Sequence, residues 1–192
     1  VAAYIGTAPV NLIRGYADMD LVNMPIKLTD MGDAQSKLGY AQNWADFTLC
    51  EAFAQHFDNT VGNVGPIYVV NVLDPDVHKD AEKTTKTLTF KNNRTEFESS
   101  DIILDTFAIA DKAEGVDYSL GYNFTKGTVV VQLLKDLESD SLECTYNTVD
   151  ASAVESDDII GQETADGQYT GLHAMSLLYQ YHNAVLNILA AP

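Results

Sequence analysis

From Ile67 to Leu73 the chain reads Ile-Tyr-Val-Val-Asn-Val-Leu, a nearly unbroken apolar run rich in β-branched residues. Gly65-Pro66 precedes it and Asp74-Pro75-Asp76 stops it sharply. A half-solvated strand alternates apolar and polar residues, whereas this run has no polar face to offer water. It therefore needs cover on both sides, as in a sheet flanked by helices. Matching pieces lie at both ends of the chain. Val1–Ile5 is a short apolar run ending at Gly6, and Ile26–Leu28 reads as another short strand. Ala184–Ala191, apolar apart from Asn187, reads as a further covered strand. Helical spacing fills the intervals. Thr29 or Asp30 can cap a brief helix through Leu38, with Gly39 as its stop signal. Phe47, Cys50, Phe53, Ala54 and Phe57 share one face of a better helix that Asn59 and Gly62 end. Leu172, Met175, Tyr179 and His182 fall on one face of a third, with Leu178 beside them.

Between about Asp80 and Thr170 the texture changes to half-exposed antiparallel strands. Leu88 and Phe90 face one way and Thr87 and Thr89 the other, and Asn92-Asn93 offers a turn before Thr95–Phe97. Tyr118–Phe124 and Thr128–Leu134 flank Thr125-Lys126-Gly127 as a hairpin, and Leu142, Cys144 and Tyr146 alternate with polar neighbours. The expected architecture is an α/β (α+β) core domain, residues 1–79 and 171–192, interrupted by an inserted antiparallel β-rich domain, residues 80–170, sandwich-like or barrel-like. The insert holds 19 acidic and 7 basic residues, so most of the net charge of −17 rides on it. Such a surface repels phosphate backbones and anionic membranes, which argues against nucleic acid as a partner. The longest apolar run is too short to span a bilayer, and no basic-plus-apolar leader opens the chain. The chain is thus expected to be soluble or to have lost a targeting segment. Both ends lie in apolar runs, as expected of a piece of a longer protein.

Tests for chemistry return little. His56, His78, His173 and His182 form no HxxxH pair, HExxH motif or Cys-His cluster. Asp74 and Asp76 sit at a strand end, where α/β enzymes hold metal ligands, but also where a chain simply turns. Asp157-Asp158 lacks the glycine and spaced oxygens of an EF-hand loop. Gly6-Thr7-Ala8-Pro9 follows a strand as a phosphate loop would, without the second glycine and the lysine. Asn93-Arg94-Thr95 and Asn123-Phe124-Thr125 match the glycosylation tripeptide, which arises often by chance. Cys50 and Cys144 read as packed thiols, with one disulfide left open. No catalytic, cofactor-binding or metal residue is expected.

The order of a few strings is more telling. Val1-Ala2-Ala3-Tyr4-Ile5-Gly6-Thr7-Ala8-Pro9 resembles the strand and Gly-Thr-Ala-Pro string that opens the core of contractile phage tail sheath proteins. Ile26-Lys27-Leu28-Thr29-Asp30 with a helix ending Leu38-Gly39 is similar to that family's next element. The aromatic helix ending at Phe57, then Gly65-Pro66-Ile67-Tyr68-Val69-Val70-Asn71-Val72, resembles the next, and Asn187–Pro192 is similar to a later strand end. The resemblance covers roughly the first 79 and last 22 residues; the family's N-terminal arm and C-terminal domain have no counterpart here. It implies a mechanical role. Sheath subunits stack as rings around a tail tube and contract to drive it through a bacterial envelope, and terminal arms add strands to a neighbour's sheet. The implied partners are other copies, the tail tube protein and the baseplate, in a virion assembled in the host cytoplasm. Phage, prophage, bacteriocin and secretion-machine sheaths fit equally. Two other functions remain open from the residues: a β-rich surface module binding sugars or protein through Tyr118, Tyr122, Tyr146 and Tyr169, and a metal-assisted hydrolase using Asp74 and Asp76.

Overall fold

A computed structural model describes residues 1–135 and 141–192. In chain order, its first part contains strand β1 (Ala2–Gly6), strand β2 (Pro25–Leu28), helix α1 (Met31–Leu38), helix α2 (Leu49–Phe57) and strand β3 (Ile67–Asn71). Next come β4 (Thr84–Thr89), β5 (Arg94–Glu98), β6 (Ala108–Ile109), β7 (Tyr118–Asn123), β8 (Thr128–Leu133) and β9 (Ser141–Tyr146). Helix α3 (Ser156–Ile160), a 3₁₀ segment (Gly171–Leu177), helix α4 (Leu178–His182) and strand β10 (Ile188–Ala190) complete the described elements.

The Ile67–Leu73 run is a central strand, as its composition requires. Every residue of β3 is buried. It pairs in parallel with β1 and antiparallel with β2, and β1 pairs in parallel with β10, giving the order β10-β1-β3-β2. One face of this sheet packs on α1 and α2 through Val69, Ile67, Leu38, Phe47, Leu49 and Phe53. The other packs on the 3₁₀ segment and α4 through Ala3, Ile5, Val70, Met175 and Leu178. Asp30 caps α1 by accepting the Asp33 N–H at 2.9 Å. Gly39 ends α1 at φ 78°, where a Cβ would stand 2.4 Å from the Pro9 carbonyl oxygen.

The middle of the chain forms two separate three-stranded antiparallel sheets, β4-β9-β6 and β5-β8-β7. They share one hydrophobic cluster that includes Leu88, Phe97, Phe107, Val129, Val131 and Cys144. No closed barrel forms among the described residues, because β4 and β5 leave the Asn92-Asn93 turn into different sheets. Only Lys91 and Arg94 bridge beside that turn. The α+β character expected from the sequence is present.

Two expectations for the last residues need correction. The helical face fails because Gly171–Leu177 winds as a 3₁₀ helix, with about three residues per turn. Ala174, Met175 and Leu178 point inward, whereas Leu172 is 43% and Tyr179 65% exposed. The covered strand is an outer strand instead. All three residues of β10 are exposed, and among the described residues only β1 lies beside it.

The two halves interlock around residues 11–15. Leu12 is 2% exposed and belongs to the cluster of the two small sheets, while Ile103 and Val149 pack in the cluster under α2. The Asn11 amide donates to the Ser100 and Ile102 carbonyls at 3.0 and 2.9 Å. Arg14 donates to the Leu104 carbonyl at 2.7 Å and pairs with Asp105 and Glu114 at 3.3 and 2.8 Å. No helix among the described residues is long and apolar enough to cross a membrane.

Candidate functional site: an open sheet edge

The loop after β1 is closed to ligands by its own hydrogen bonds. The Thr7 hydroxyl donates to the Asp46 carbonyl at 2.7 Å and accepts the Thr48 N–H at 3.0 Å. The Ala8 N–H, which a phosphate would need, goes to the Asn71 side chain at 2.9 Å. Gly6 is required by close approach, because a Cβ there would stand 2.3 Å from the Thr48 hydroxyl. Gly6→Ala is expected to cost about 2 kcal/mol. Thr48→Ala in the same chain should recover part of that loss in a urea-unfolding series. The Gly-Thr-Ala-Pro string is a staple joining β1, β3 and the start of α2.

The histidines are dispersed. His56 bonds the Val64 carbonyl and the Tyr4 hydroxyl, each at 2.8 Å. His78 is 7% exposed, bonds the backbone of Asp74 and stands 3.7 Å from Asp158. His182 donates to the Pro25 carbonyl at 2.6 Å, and His173 lies exposed on the 3₁₀ segment. Asp74 accepts the Asp76 N–H at 2.9 Å, and Asp76 accepts the Tyr16 hydroxyl at 3.3 Å. Burial and the neighbouring Asp76 push the Tyr16 hydroxyl up to about 12. Asp157 and Asp158 occupy the first turn of α3, where Asp158 accepts the Glu155 N–H at 2.8 Å. Among the described residues no group of three or more His, Cys, Asp or Glu is placed to hold a metal ion. Asn93 adopts a positive φ in its turn, and Asn123 caps the β7–β8 turn by accepting the N–H groups of Thr125 and Lys126.

Cys50 and Cys144 are free and buried in different clusters. Burial raises their thiols to about 12 and about 11, so little thiolate is present at neutral pH. An aromatic-disulfide reagent is expected to leave both unlabelled in the folded chain and to label both in denaturant. The tyrosine face does not form. Tyr118 and Tyr146 are 3% and 6% exposed in the small-sheet cluster, and Tyr169 packs against the cluster of Ala3 and Met175. Tyr122 sits edge-on to Phe124 with ring centres 5.1 Å apart.

The two edges of the four-stranded sheet are built differently. At β2, Pro25 has no N–H, and the outward Pro25 and Lys27 carbonyls accept from His182 and from the Lys37 ammonium at 2.9 Å. That edge is blocked by the means natural sheets use against stray pairing. At β10 the Ile188 N–H goes to the Val1 carbonyl, so the alternate residue Leu189 turns its backbone groups away from the sheet. A groove of about 230 Å³ runs beside it, lined by Ile5, Ile159, Ile160, Leu172, Leu189 and two alanines. Ile160 is 55% and Leu189 37% exposed. An apolar groove thus lies beside an exposed strand. The sequence signal for it is the absence of any Asp, Glu, Lys or Arg from Gly167 to Pro192, which hydropathy patterning alone disguises as a buried strand.

No protein-family model matches the chain. Over 97% of its length the chain is 26% identical to a protein of Burkholderia phage BcepMu. That relative is a tail sheath protein. The chain spans 40% of the relative's length, and the match runs across the small sheets as well as the four-stranded one. It thereby extends the likeness beyond the strings at the two ends. The Gly-Thr-Ala-Pro staple and the buried central strand are the structural counterparts of those strings.

Proposed function

We propose that this chain is part of a structural subunit of a contractile tail sheath. In this reading it polymerises with copies of itself around a tail tube and contracts to drive the tube through a bacterial envelope. The observation that carries the proposal is the likeness to the tail sheath protein of phage BcepMu along nearly the whole chain. The architecture supports it: β10 returns, after the small sheets, to lie parallel beside β1. That connectivity fits a discontinuous core, residues 1–79 and 171–192, carrying residues 80–170 as an inserted domain. The insert's surplus of carboxylates suits an outward, solvated position. The work is stored in bistable packing between subunits, so the role is structural and needs no cofactor. Its partners are the tail tube protein and the baseplate, and the assembled protein resides in the virion.

Gold-labelled antibodies raised against this chain provide the test. They are expected to decorate intact particles along the outside of the tail, with the label compressed into a shorter band after contraction. Labelling confined to heads, or none on particles, would refute the assignment.

A further inference from the structure

A cleft of about 500 Å³ opens where the two halves of the molecule meet, lined only by residues between 41 and 127. Its volume falls within the roughly 300–1,000 Å³ of small-ligand sites. The segment before α2 supplies Gln42, Asn43 and Asp46, and the small sheets supply Glu98–Asp101 and the β7–β8 turn. Two of its carboxylates already accept from neutral donors, Asp46 from the Asn43 amide and Asp101 from the Ser99 hydroxyl at 2.6 Å. Lys126, its one ammonium, pairs with Glu96 at 3.3 Å. The Tyr122 hydroxyl is buried without any hydrogen-bond partner, a costly arrangement unless something bonds it. Burial, with the Asp101 carboxylate nearby, pushes this phenol up to about 12, so at neutral pH it is an uncharged donor. Gly127 keeps the space beside it clear, since a Cβ there would stand 3.9 Å from the hydroxyl oxygen. Phe124 also lines the cleft, with its ring edge-on to that of Tyr122 at 5.1 Å between centres.

This mixture of groups selects the chemistry of a ligand. A cation would answer the carboxylates but leave the phenol and the Gln42 amide without acceptors. An anion would be repelled by Asp46, Glu98 and Asp101, and a wholly apolar molecule would leave every polar group unpaired. A hydroxyl both donates and accepts, so a neutral polyhydroxylated ring answers both kinds at once. Its C–H face can also lie against an aromatic ring. We infer that the cleft binds a saccharide. Glu98 and Asp101 accept from its hydroxyls, Tyr122 donates to one of them, and Phe124 packs against the sugar ring. The site goes beyond the sheath reading and stands or falls separately from it.

The experiment is an NMR titration of the isotope-labelled chain with maltose, cellobiose, lactose and diacetylchitobiose. Arginine amide and inorganic phosphate serve as charged controls. At least one sugar is expected to shift the backbone signals of Ser100, Asp101 and Gly127 saturably, while those of β10 stay in place. Glu98→Ala should weaken that sugar about ten-fold, and because Glu98 is exposed the circular dichroism should not change. Tyr122→Phe is the sharper variant. It should weaken the sugar about five-fold or more without lowering the melting temperature, because the hydroxyl has no bond to lose in the free chain. The responding disaccharide is then offered as a longer oligomer. Binding that persists places the ligand within a glycan chain, binding that is lost makes it a free sugar, and either upholds the site. Signals that none of the sugars moves overturn the inference, as do signals that only a charged control moves. A Tyr122→Phe chain that binds the sugar unchanged, or that melts lower because its hydroxyl was already paired, overturns it too.

Discussion

Replacing Asn71 by leucine is expected to lower the unfolding free energy by about 4 kcal/mol, a loss read directly from the urea midpoint. Asn71 ends the central strand and is fully buried. Its oxygen accepts the N–H groups of Ala8 and Leu73 at 2.9 and 3.1 Å, and its nitrogen donates to the carbonyls of Leu21 and Leu73 at 3.3 and 2.9 Å. One side chain thus satisfies backbone groups from three segments that meet at the end of the sheet. Leucine matches its size but leaves those buried groups without partners, at about 1–3 kcal/mol each before relaxation. Asn71→Asp should be no milder. It retains acceptors for Ala8 and Leu73 but places a carboxylate against the Leu21 and Leu73 carbonyls in a dry site. A leucine variant within about 1 kcal/mol of the unmodified chain would show that the network contributes little.

Leu12→Ala carries the second large effect, about 3 kcal/mol. Leu12 leaves the four-stranded half of the molecule and packs at 2% exposure in the cluster of the two small sheets. Its removal opens a cavity where the halves interlock, beside the Asn11 amide and the Arg14 clamp on Leu104, Asp105 and Glu114. Those contacts couple the halves, so the unmodified chain should unfold in one transition. Trp44 fluorescence and far-ultraviolet circular dichroism should then give the same midpoint. In the Leu12→Ala chain the two probes should separate. Separate transitions in the unmodified chain would mean that the interlock does not couple the halves.

What the sequence disclosed follows the strength of its local signals. The unbroken run at Ile67–Leu73 admitted only a doubly covered strand, and β3 is one. Asp30 and Gly39 bound α1 because capping is decided within a few residues. The Thr125-Lys126-Gly127 turn joins β7 to β8 for the same reason. The Asn92-Asn93 turn forms as expected, but a turn sets only its flanking pair. Beyond Lys91 and Arg94 the strands separate, and their partners β9 and β8 lie 52–62 and 30–38 residues away in sequence. Ala184–Ala191 misled because apolar composition cannot distinguish a strand covered by its own chain from one left open at an edge. The staple role of Asn71 was invisible, since its partners converge only in the folded chain.

The central claim is that the protein carrying this chain builds a sheath. Negative-stain electron microscopy of the complete gene product, expressed on its own, tests it most directly. Hollow tubes or stacked rings of uniform diameter are expected, the open helical polymers made by head-to-tail contacts that do not close. Uniformly dispersed single particles at high protein concentration would contradict it.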